Sequence, residues 1–451
     1  MNARELALQV LRENRSNHTF AGELLDEHLS RAPLSAPDRR LATALVYGVL
    51  RRRGTLDALV RPFVRRPLEQ VEDWVMDALR LGTYQLVLMT QIPPHAALHQ
   101  TVELAAAQGR PGAKGFLNGV LRRVAELLPP TPIWADGPAA DAVPLEDGRQ
   151  RRLNKAVFPD PTTEPAAYLA AAYAWPEWMT ERWLHRHGWD ECLRLGTWFA
   201  GPAPLWLRVN PLQIERDAYL ERLREAGVAA EAGTHPQAIR LLELAAVREL
   251  PGYADGLFSV QDQAAMKVAS ALDPRPGMAG LDLCAAPGGK TTHLIELMAN
   301  GGQVVACDID EQRLRTVTTL AERLGLGGIA TMKLSETVQP PARQYDAAVA
   351  DVPCSNTGVL GRRPEVRWRL TPRELPFLTA LQQRLLTTAI ESVRPGGAVV
   401  YSTCSIEPEE NSELVRQVIE QRNDVRLEAE EISIPGQPAD GGYWARLRKA
   451  H

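Results

Sequence analysis

Residues 281–294 read LDLCAAPGGKTTHL, an apolar run that breaks into a glycine-rich turn and then into a helix-forming stretch. Gly289-Lys290-Thr291 has the look of the end of a nucleoside triphosphate loop, which requires Gly-x-x-x-x-Gly-Lys-[Ser/Thr]. Counting back from Gly289, the first glycine of that pattern falls on Cys284. Pro287 also lacks one of the backbone N–H groups that would cradle phosphate. The turn lacks the G-x-G-x-x-G of dinucleotide enzymes as well, so a hydride cofactor is disfavoured.

What remains is a strand, a turn and a helix start that hold a single nucleoside. Such a site wants an acid at the end of the next strand for the ribose hydroxyls. Asp308, in QVVACDID (303–310), lies 19 residues after Gly289 and is followed by Asp310. A nucleoside with a small cationic tail, S-adenosylmethionine, suits this arrangement. Asp282 stands at the strand end, where the tail's amino acid portion would lie. The plain alternative, a sharp turn at Gly288-Gly289 and nothing more, leaves Asp308 unexplained.

Around this stretch the pattern is regular. GLDLCAA, QVVACDID, YDAAVADVPCS and GGAVVYSTCS read as strands, and KTTHLIELMA, EQRLRTVTTLAERLG and FLTALQQRLLTTAIESV as helices between them. Alternation of this kind predicts a parallel sheet covered on both faces, with ligands at the carboxyl ends of its strands. The expected fold is multidomain, closing with an α/β Rossmann-like domain over residues 256–451. Before it, PLWLRVNP, RDAYLERLREAG and AIRLLE predict a small α+β, RRM-like module over 169–255. Residues 129–168 are rich in Pro, Gly, Ala and Asp without periodicity, and read as a linker or insert. Residues 1–128 read as an all-helical bundle, with Leu41, Leu45, Val46, Val49 and Leu50 on one helix face and a break at Pro93-Pro94.

The bulk numbers bound the function. The chain has 451 residues, 45% hydrophobic and 24% charged, values of a soluble globular protein. No apolar run approaches the roughly 20 residues of a membrane span, and the charged N-terminus has no signal-peptide core. A cytoplasmic protein is expected, with no membrane partner. A net charge of −4 announces no nucleic acid, yet the basic residues are 45 Arg against six Lys. Arginine suits forked phosphate contacts, and a GC-rich genome would raise it equally well. Among the five cysteines no C-x-x-C pair occurs, so no metal site is expected.

Two cysteines stand apart. Cys354 in DVPCSNTGVLGRRPEVRW and Cys404 in YSTCSIEPEEN each follow an apolar strand and lie in polar turns near the edge of the cofactor loop. Burial as inert thiols fits Cys192 and Cys307 better. A Cys354–Cys404 disulfide is disfavoured by the compartment. Pro408, Glu409 and Glu410 read as the first turn of a helix after Cys404. A cysteine beside a methyl donor has a chemical purpose. Carbon 5 of a pyrimidine is too weak a nucleophile to take a methyl group directly. A thiolate adding to carbon 6 makes carbon 5 an enamine carbon that can. Asp351 is placed for ring nitrogen 3 and the exocyclic amine, which favours cytosine.

These stretches, with LRVNP (207–211), resemble the RNA cytosine-C5 methyltransferases. LVYGVLRRRGTLD, LRLGTYQLVLMTQIPPHAALHQTVELA and GFLNGVLRRV resemble the antitermination factor NusB. The combination is similar to the bacterial small-subunit ribosomal RNA methyltransferase B (RsmB, or Sun) group. The resemblance implies roles. Cys404 would be the nucleophile, and Cys354 would help release the methylated base. Residues Cys284, Ala285, Ala286, Pro287, Gly288, Gly289 and Lys290, with Asp308, would bind S-adenosylmethionine. Asp351 would contact cofactor and base, and Lys290 would organise the site. The substrate would be 16S ribosomal RNA, met by a monomer. Sequence logic alone leaves the choice between the two cysteines open. It also leaves open DNA or transfer RNA as substrate, or a noncatalytic RNA-binding or antitermination role.

One departure stands out. Family members carry an Asp on the strand before the Pro-Cys strand, and GGIATMKLSETVQ (327–339) has none. Ser335 or a backbone group is left to substitute. A flipped-out base in a single-stranded loop is the expected target. Arg51-Arg52-Arg53, Arg65-Arg66 and Arg122-Arg123 are candidate phosphate contacts. Arg362-Arg363, Arg367 and Trp368 are candidates for holding neighbouring nucleotides.

Overall fold

The computed structural model describes residues 1–17, 19–243, 245–335 and 344–450. The chain forms two compact units, one of Met1–Pro202 with Leu360–Arg369 and one of Ala203–Val359 with Leu370–His451. It therefore passes between units three times, at 202–203, 359–360 and 369–370.

The first unit opens with helices α1 (Ala3–Ser16), α2 (Ala21–Arg31), α3 (Ala36–Val60), α4 (Asp73–Val87), α5 (Pro94–Ala107) and α6 (Lys114–Ala125). Asn2 and Glu5 close a capping box on α1, and Ser35 caps α3. Helix α5 begins at Pro94, where a missing N–H loses no hydrogen bond. Leu45, Val46, Val49 and Leu50 are buried as expected, and Leu41 packs half-buried against the same core.

The segment expected as a linker or insert folds as a three-stranded antiparallel sheet. Its strands are β1 (Trp134–Ala135), β2 (Ala142–Pro144) and β3 (Gln150–Arg152), in the order β1-β3-β2. Strands of two or three residues are too short to show a period. Helices α7 (Pro165–Tyr173) and α8 (Glu177–Ala200, interrupted at Gly188) follow. They fall within the first compact unit. The reason is α3: Arg52 donates to the carbonyls of Pro144 (2.9 Å) and Ala172 (3.2 Å), and Thr55 donates to Ala172 (2.9 Å). An aromatic chain then continues from Trp175 through Trp183 to Phe199, with centroids 5.0 and 6.1 Å apart.

The second unit begins with the α+β module. Strands β4 (Leu205–Val209), β5 (Ala230–Ala232), β6 (Ala238–Leu241) and β7 (Phe258–Val260) form an antiparallel sheet in the order β5-β6-β4-β7, with helix α9 (Arg216–Glu225). Next come α10 (Gln263–Ala271), β8 (Ala279–Asp282), α11 (Gly289–Leu297), β9 (Gln303–Asp308), α12 (Glu311–Leu324), β10 (Ile329–Lys333) and β11 (Tyr345–Asp351). After β11 the short helix α13 (Val366–Arg369) lies in the part of the chain that belongs to the first unit. The second unit resumes with α14 (Leu375–Ser392), β12 (Val393–Thr403), α15 (Ser412–Glu420), β13 (Val425–Ser433) and β14 (Gly442–Lys449).

The large sheet has the order β10-β9-β8-β11-β12-β14-β13. Strands β8 to β12 are mutually parallel, as expected, and β14 and β13 are antiparallel, which was not. No helix separates the last two strands, so the chain can return beside itself only antiparallel. The strand order reverses between β8 and β11. The loops after these strands therefore open away from each other and leave a crevice at their carboxyl ends.

Candidate active site

The crevice takes its first wall from the loop after β8. Gly288 has φ of 107°, and a Cβ there would stand 3.0 Å from the Val317 Cα on α12, so only glycine fits. The loop is braced by bonds from Ala285 N to the Cys307 carbonyl (2.8 Å) and from Ala286 N to Asp308 Oδ2 (3.3 Å). Asp308 is buried at the end of β9, and its Oδ1 accepts from Asp310 N (3.1 Å). The neighbouring Ile309 is 65% exposed. Asp282 is wholly buried. Thr291 donates to its Oδ2 (2.7 Å), and Oδ1 has no hydrogen bond. Burial, aided by the charge of Asp351, pushes this carboxyl up to about 7. Ser335 follows β10 and is exposed, and residues 336–343 of the Asp-less stretch lie outside the described residues.

The second wall carries the cysteines. Asp351 and Ser402 are paired across β11 and β12, so the turns that follow leave the sheet side by side. Cys354 and Cys404 meet there as free thiols, with their sulfurs 3.2 Å apart. Cys354 is 8% exposed, and Cys404 is half-buried. Asn356, at φ 59°, donates to the Cys354 carbonyl (2.7 Å) and accepts from Cys404 Sγ (3.2 Å). Lys290, the second residue of α11, reaches Asp351 Oδ2 at 2.6 Å, while Ser402 donates to Oδ1 at 2.8 Å. Burial alone would lower the Lys290 ammonium, but the Asp351 carboxylate outweighs it, and Cys404 adds to the upward shift. The Cys354 thiol is pushed well up by its hydrogen bond with Cys404, then by burial and by the charges of Cys404 and Glu410. One thiol of the pair thus holds its proton, while the other faces an ammonium group. That is an asymmetry suited to a nucleophile and a proton-carrying partner.

Comparison with known proteins fixes the lineage. Residues 269–442 match the 16S rRNA methyltransferase RsmB/F family, residues 1–126 the NusB family, and residues 175–248 the ferredoxin-like domain of RsmF/B-like methyltransferases. A probable ribosomal RNA small subunit methyltransferase B from Synechocystis is 36% identical, covering 96% of this chain and 93% of its own. The small subunit methyltransferase B of Shigella sonnei is 36% identical, covering 92% of each chain. The chain belongs to the ribosomal RNA small subunit methyltransferase B family. The solved structure of PH0851 shares the fold, at TM-score 0.79 and 22% identity over 100% of this chain and 99% of that one.

In this RsmB-family chain, LRVNP has a structural task that its sequence did not disclose. Arg208 of β4 is fully buried and forks onto Glu296 of α11 (2.9 and 2.8 Å). It also donates to the Gly289 carbonyl (2.5 Å), Thr292 (3.0 Å) and Gln261. The α+β module therefore grips the first turns of the helix that follows the glycine-rich loop.

Pro408–Glu410 is not the first turn of the following helix. It is a separate 3₁₀ turn, cut off from α15 by Asn411 at φ −117°, ψ −114°. The extra turn sends the Glu410 side chain inward. Oε1 accepts from Ser355 N and Gln382 Nε2 (2.8 Å each), and Oε2 accepts from Ser355 Oγ and Ser405 Oγ. Glu410, Gln382 and Asn356 were not identified from the sequence. A signal was present, because each cysteine is followed directly by serine, in Cys354-Ser355 and Cys404-Ser405.

The arginine runs divide. Arg367 is 0% exposed and donates to the carbonyls of Arg51 (3.0 Å), Phe199 (3.3 Å) and Leu360 (3.2 Å). Trp368 Nε1 donates to the Leu50 carbonyl at 3.1 Å. Arg367 is therefore not free to hold a nucleotide, which corrects the sequence expectation for it, while Trp368 is half-buried. Arg52 is buried too, and Arg51 donates to the Gly361 carbonyl (2.8 Å). Arg65, Arg66, Arg122 and Arg123 are exposed.

Proposed function

We propose that this methyltransferase moves a methyl group from S-adenosylmethionine to carbon 5 of a cytosine in small-subunit 16S ribosomal RNA. The 3.2 Å approach of Cys354 and Cys404 beside Lys290 and Asp351 is the observation that carries this reading. S-adenosylmethionine supplies an electrophilic methyl on a sulfonium. Residues Cys284–Lys290, with Gly288 pressed against α12, form the turn that would hold it, and Asp308 would take the ribose hydroxyls. Two features support the fit: the buried Asp282 Oδ1 lacks a partner that a cationic amino acid tail supplies, and exposed Ile309 offers apolar surface to a flat base.

The Cys404 thiolate adds to carbon 6, with Lys290 close enough to favour the thiolate. Asp351, its two oxygens oriented by Lys290 and Ser402, faces the cytosine edge. Carbon 5 takes the methyl as S-adenosylhomocysteine leaves, and its proton must then pass to a base before the Cys404–carbon 6 bond can break. Cys354, against the Cys404 sulfur, assists that release. Exposed arginines of the NusB-like unit would meet phosphates, and the chain would act as a cytoplasmic monomer.

The test uses Cys354→Ala and Cys404→Ala with small-subunit RNA and S-adenosylmethionine, read on denaturing gels. Cys354→Ala should leave a covalent protein–RNA adduct, and Cys404→Ala should give neither adduct nor methylated RNA. A reversed pattern makes Cys354 the nucleophile. Undiminished methylation in both variants rejects the covalent mechanism. Labelling of transfer RNA in place of ribosomal RNA would move the substrate, and no labelling by the unmodified protein would leave an RNA-binding role.

A further inference from the structure

A buried carboxylate is costly unless hydrogen bonds replace its water, and it has room for about four donors. Glu410 is 0% exposed and has four, all neutral. Their origin is informative. Two belong to Ser355, directly after Cys354, and one to Ser405, directly after Cys404. The fourth comes from Gln382 of α14, whose amide also donates to the carbonyl of Pro353, directly before Cys354 (2.9 Å). Asn411 extends the grip, accepting from Thr403 Oγ1 (2.6 Å) and donating to the Ser405 carbonyl (2.9 Å), on either side of Cys404. Ser355 Oγ and Ser405 Oγ also touch at 3.0 Å. The two cysteine turns come from different strands, and nothing covalent holds them together.

We propose that Glu410 is the positioning residue that sets the spacing and alignment of Cys354 and Cys404. It is wholly buried and acts through the serines beside each thiol, while its charge also pushes the Cys354 thiol up. Its effect on turnover rests on the covalent reading above. Its effect on the thiol pair does not. Loosening Glu410 moves two small turns relative to each other, and a displacement of about 1 Å can cost on the order of a hundredfold in a step that needs both groups. The release step needs both sulfurs, whereas adduct formation needs Cys404 alone.

The full chain is compared with Glu410→Ala, which removes all four acceptor contacts, and Glu410→Gln, which keeps the shape. The first measurement omits RNA. Diamide takes two electrons and two protons from a thiol pair, leaving a disulfide and a hydrazine, and mass spectrometry follows the Cys354–Cys404 product. Both variants lose the charge that pushes the Cys354 thiol up, so alignment is read between them: pairing should be about tenfold slower in Glu410→Ala than in Glu410→Gln. The second measurement adds RNA and S-adenosylmethionine. Both variants should accumulate the Cys404–RNA adduct, with kcat lowered and KM for RNA unchanged.

An unchanged pairing rate without adduct, even alongside a lower melting temperature, reduces Glu410 to core support and overturns the proposal. If the Cys354→Ala control yields no adduct, the covalent reading has failed, and the pairing rate alone judges Glu410. Should Glu410→Ala not fold, Ser405→Ala removes a single donor and is held to the same slower pairing.

Discussion

Asp282 holds a carboxyl group that water cannot reach, and its chemistry sets a dependence on pH. An unfolded Asp titrates near 3.9. In the folded chain, burial pushes the same group up to about 7. Between those values the folded protein keeps a proton that the unfolded chain has released, so folding takes up a proton. Stability contributed here therefore falls as pH rises from about 4 to about 7, and the full cost of burying the charge persists above that. Asp282→Asn removes the titration. Thermal melts should show the variant gaining on the wild type from about pH 4 to about pH 7 and holding level above that, with a constant offset across the whole range counting against this account. Residues of this kind were legible in part. The sequence placed Asp282 at a strand end beside the glycine-rich loop, and it singled out both cysteines because strand-end turns are the wrong place for inert thiols. It could not see Glu410, whose inward turn depends on a 3₁₀ segment that reads like an ordinary helix start.

Elements carry the next layer of argument. Strand β4 and helix α11 are joined by the Arg208–Glu296 pair, both side chains 0% exposed. Breaking such a pair from one side leaves a bare buried charge and costs about 3–5 kcal/mol. Arg208→Met should lose that much in chemical denaturation, and Arg208→Met with Glu296→Met should recover most of it. Arg208→Lys keeps the charge but cannot serve Glu296, Thr292 and the Gly289 carbonyl together. It should weaken binding of S-adenosylhomocysteine about tenfold, the worth of roughly one hydrogen bond. Full stability in Arg208→Met, or undisturbed binding in Arg208→Lys, would separate the module from the loop. The strands and helices of the large sheet were legible because apolar runs alternate with amphipathic ones. The antiparallel pair at the end was not anticipated, although YWARLRK alternates openly. The three strands of two or three residues near the N-terminal bundle have no period to read.

At the scale of the whole molecule, residues 360–369 decide the most. They follow the Cys354 turn in sequence yet belong to the first unit, where Arg369 donates to the carbonyls of Asn14 (2.7 Å) and Thr19 (3.0 Å) and Glu365 accepts from Ala21 N (2.6 Å). Arg367→Ala should lower the stability of the first unit by about 3 kcal/mol, because several buried carbonyls lose their donor at once. Arg66→Ala and Arg123→Ala should leave melting unchanged. Each should weaken RNA binding and reduce its salt dependence by about one counterion. A stability loss from the exposed pair, or none from Arg367→Ala, would reverse the division between structural and RNA-facing arginines. Charge runs alone could not make that division, since burial is a property of the packed chain.

Translation runs from the N-terminal side onward, and the first unit is not complete at residue 202. Its last segment is made only after the module, the glycine-rich loop and the Cys354 turn have been made. The helical body thus waits, with the places of Arg367 and Glu365 unfilled, until residues 360–369 exist. A nascent chain stopped after residue 202 should be more open to protease than the same residues in the finished protein. Two modules that look separable on paper are bound to one schedule of birth.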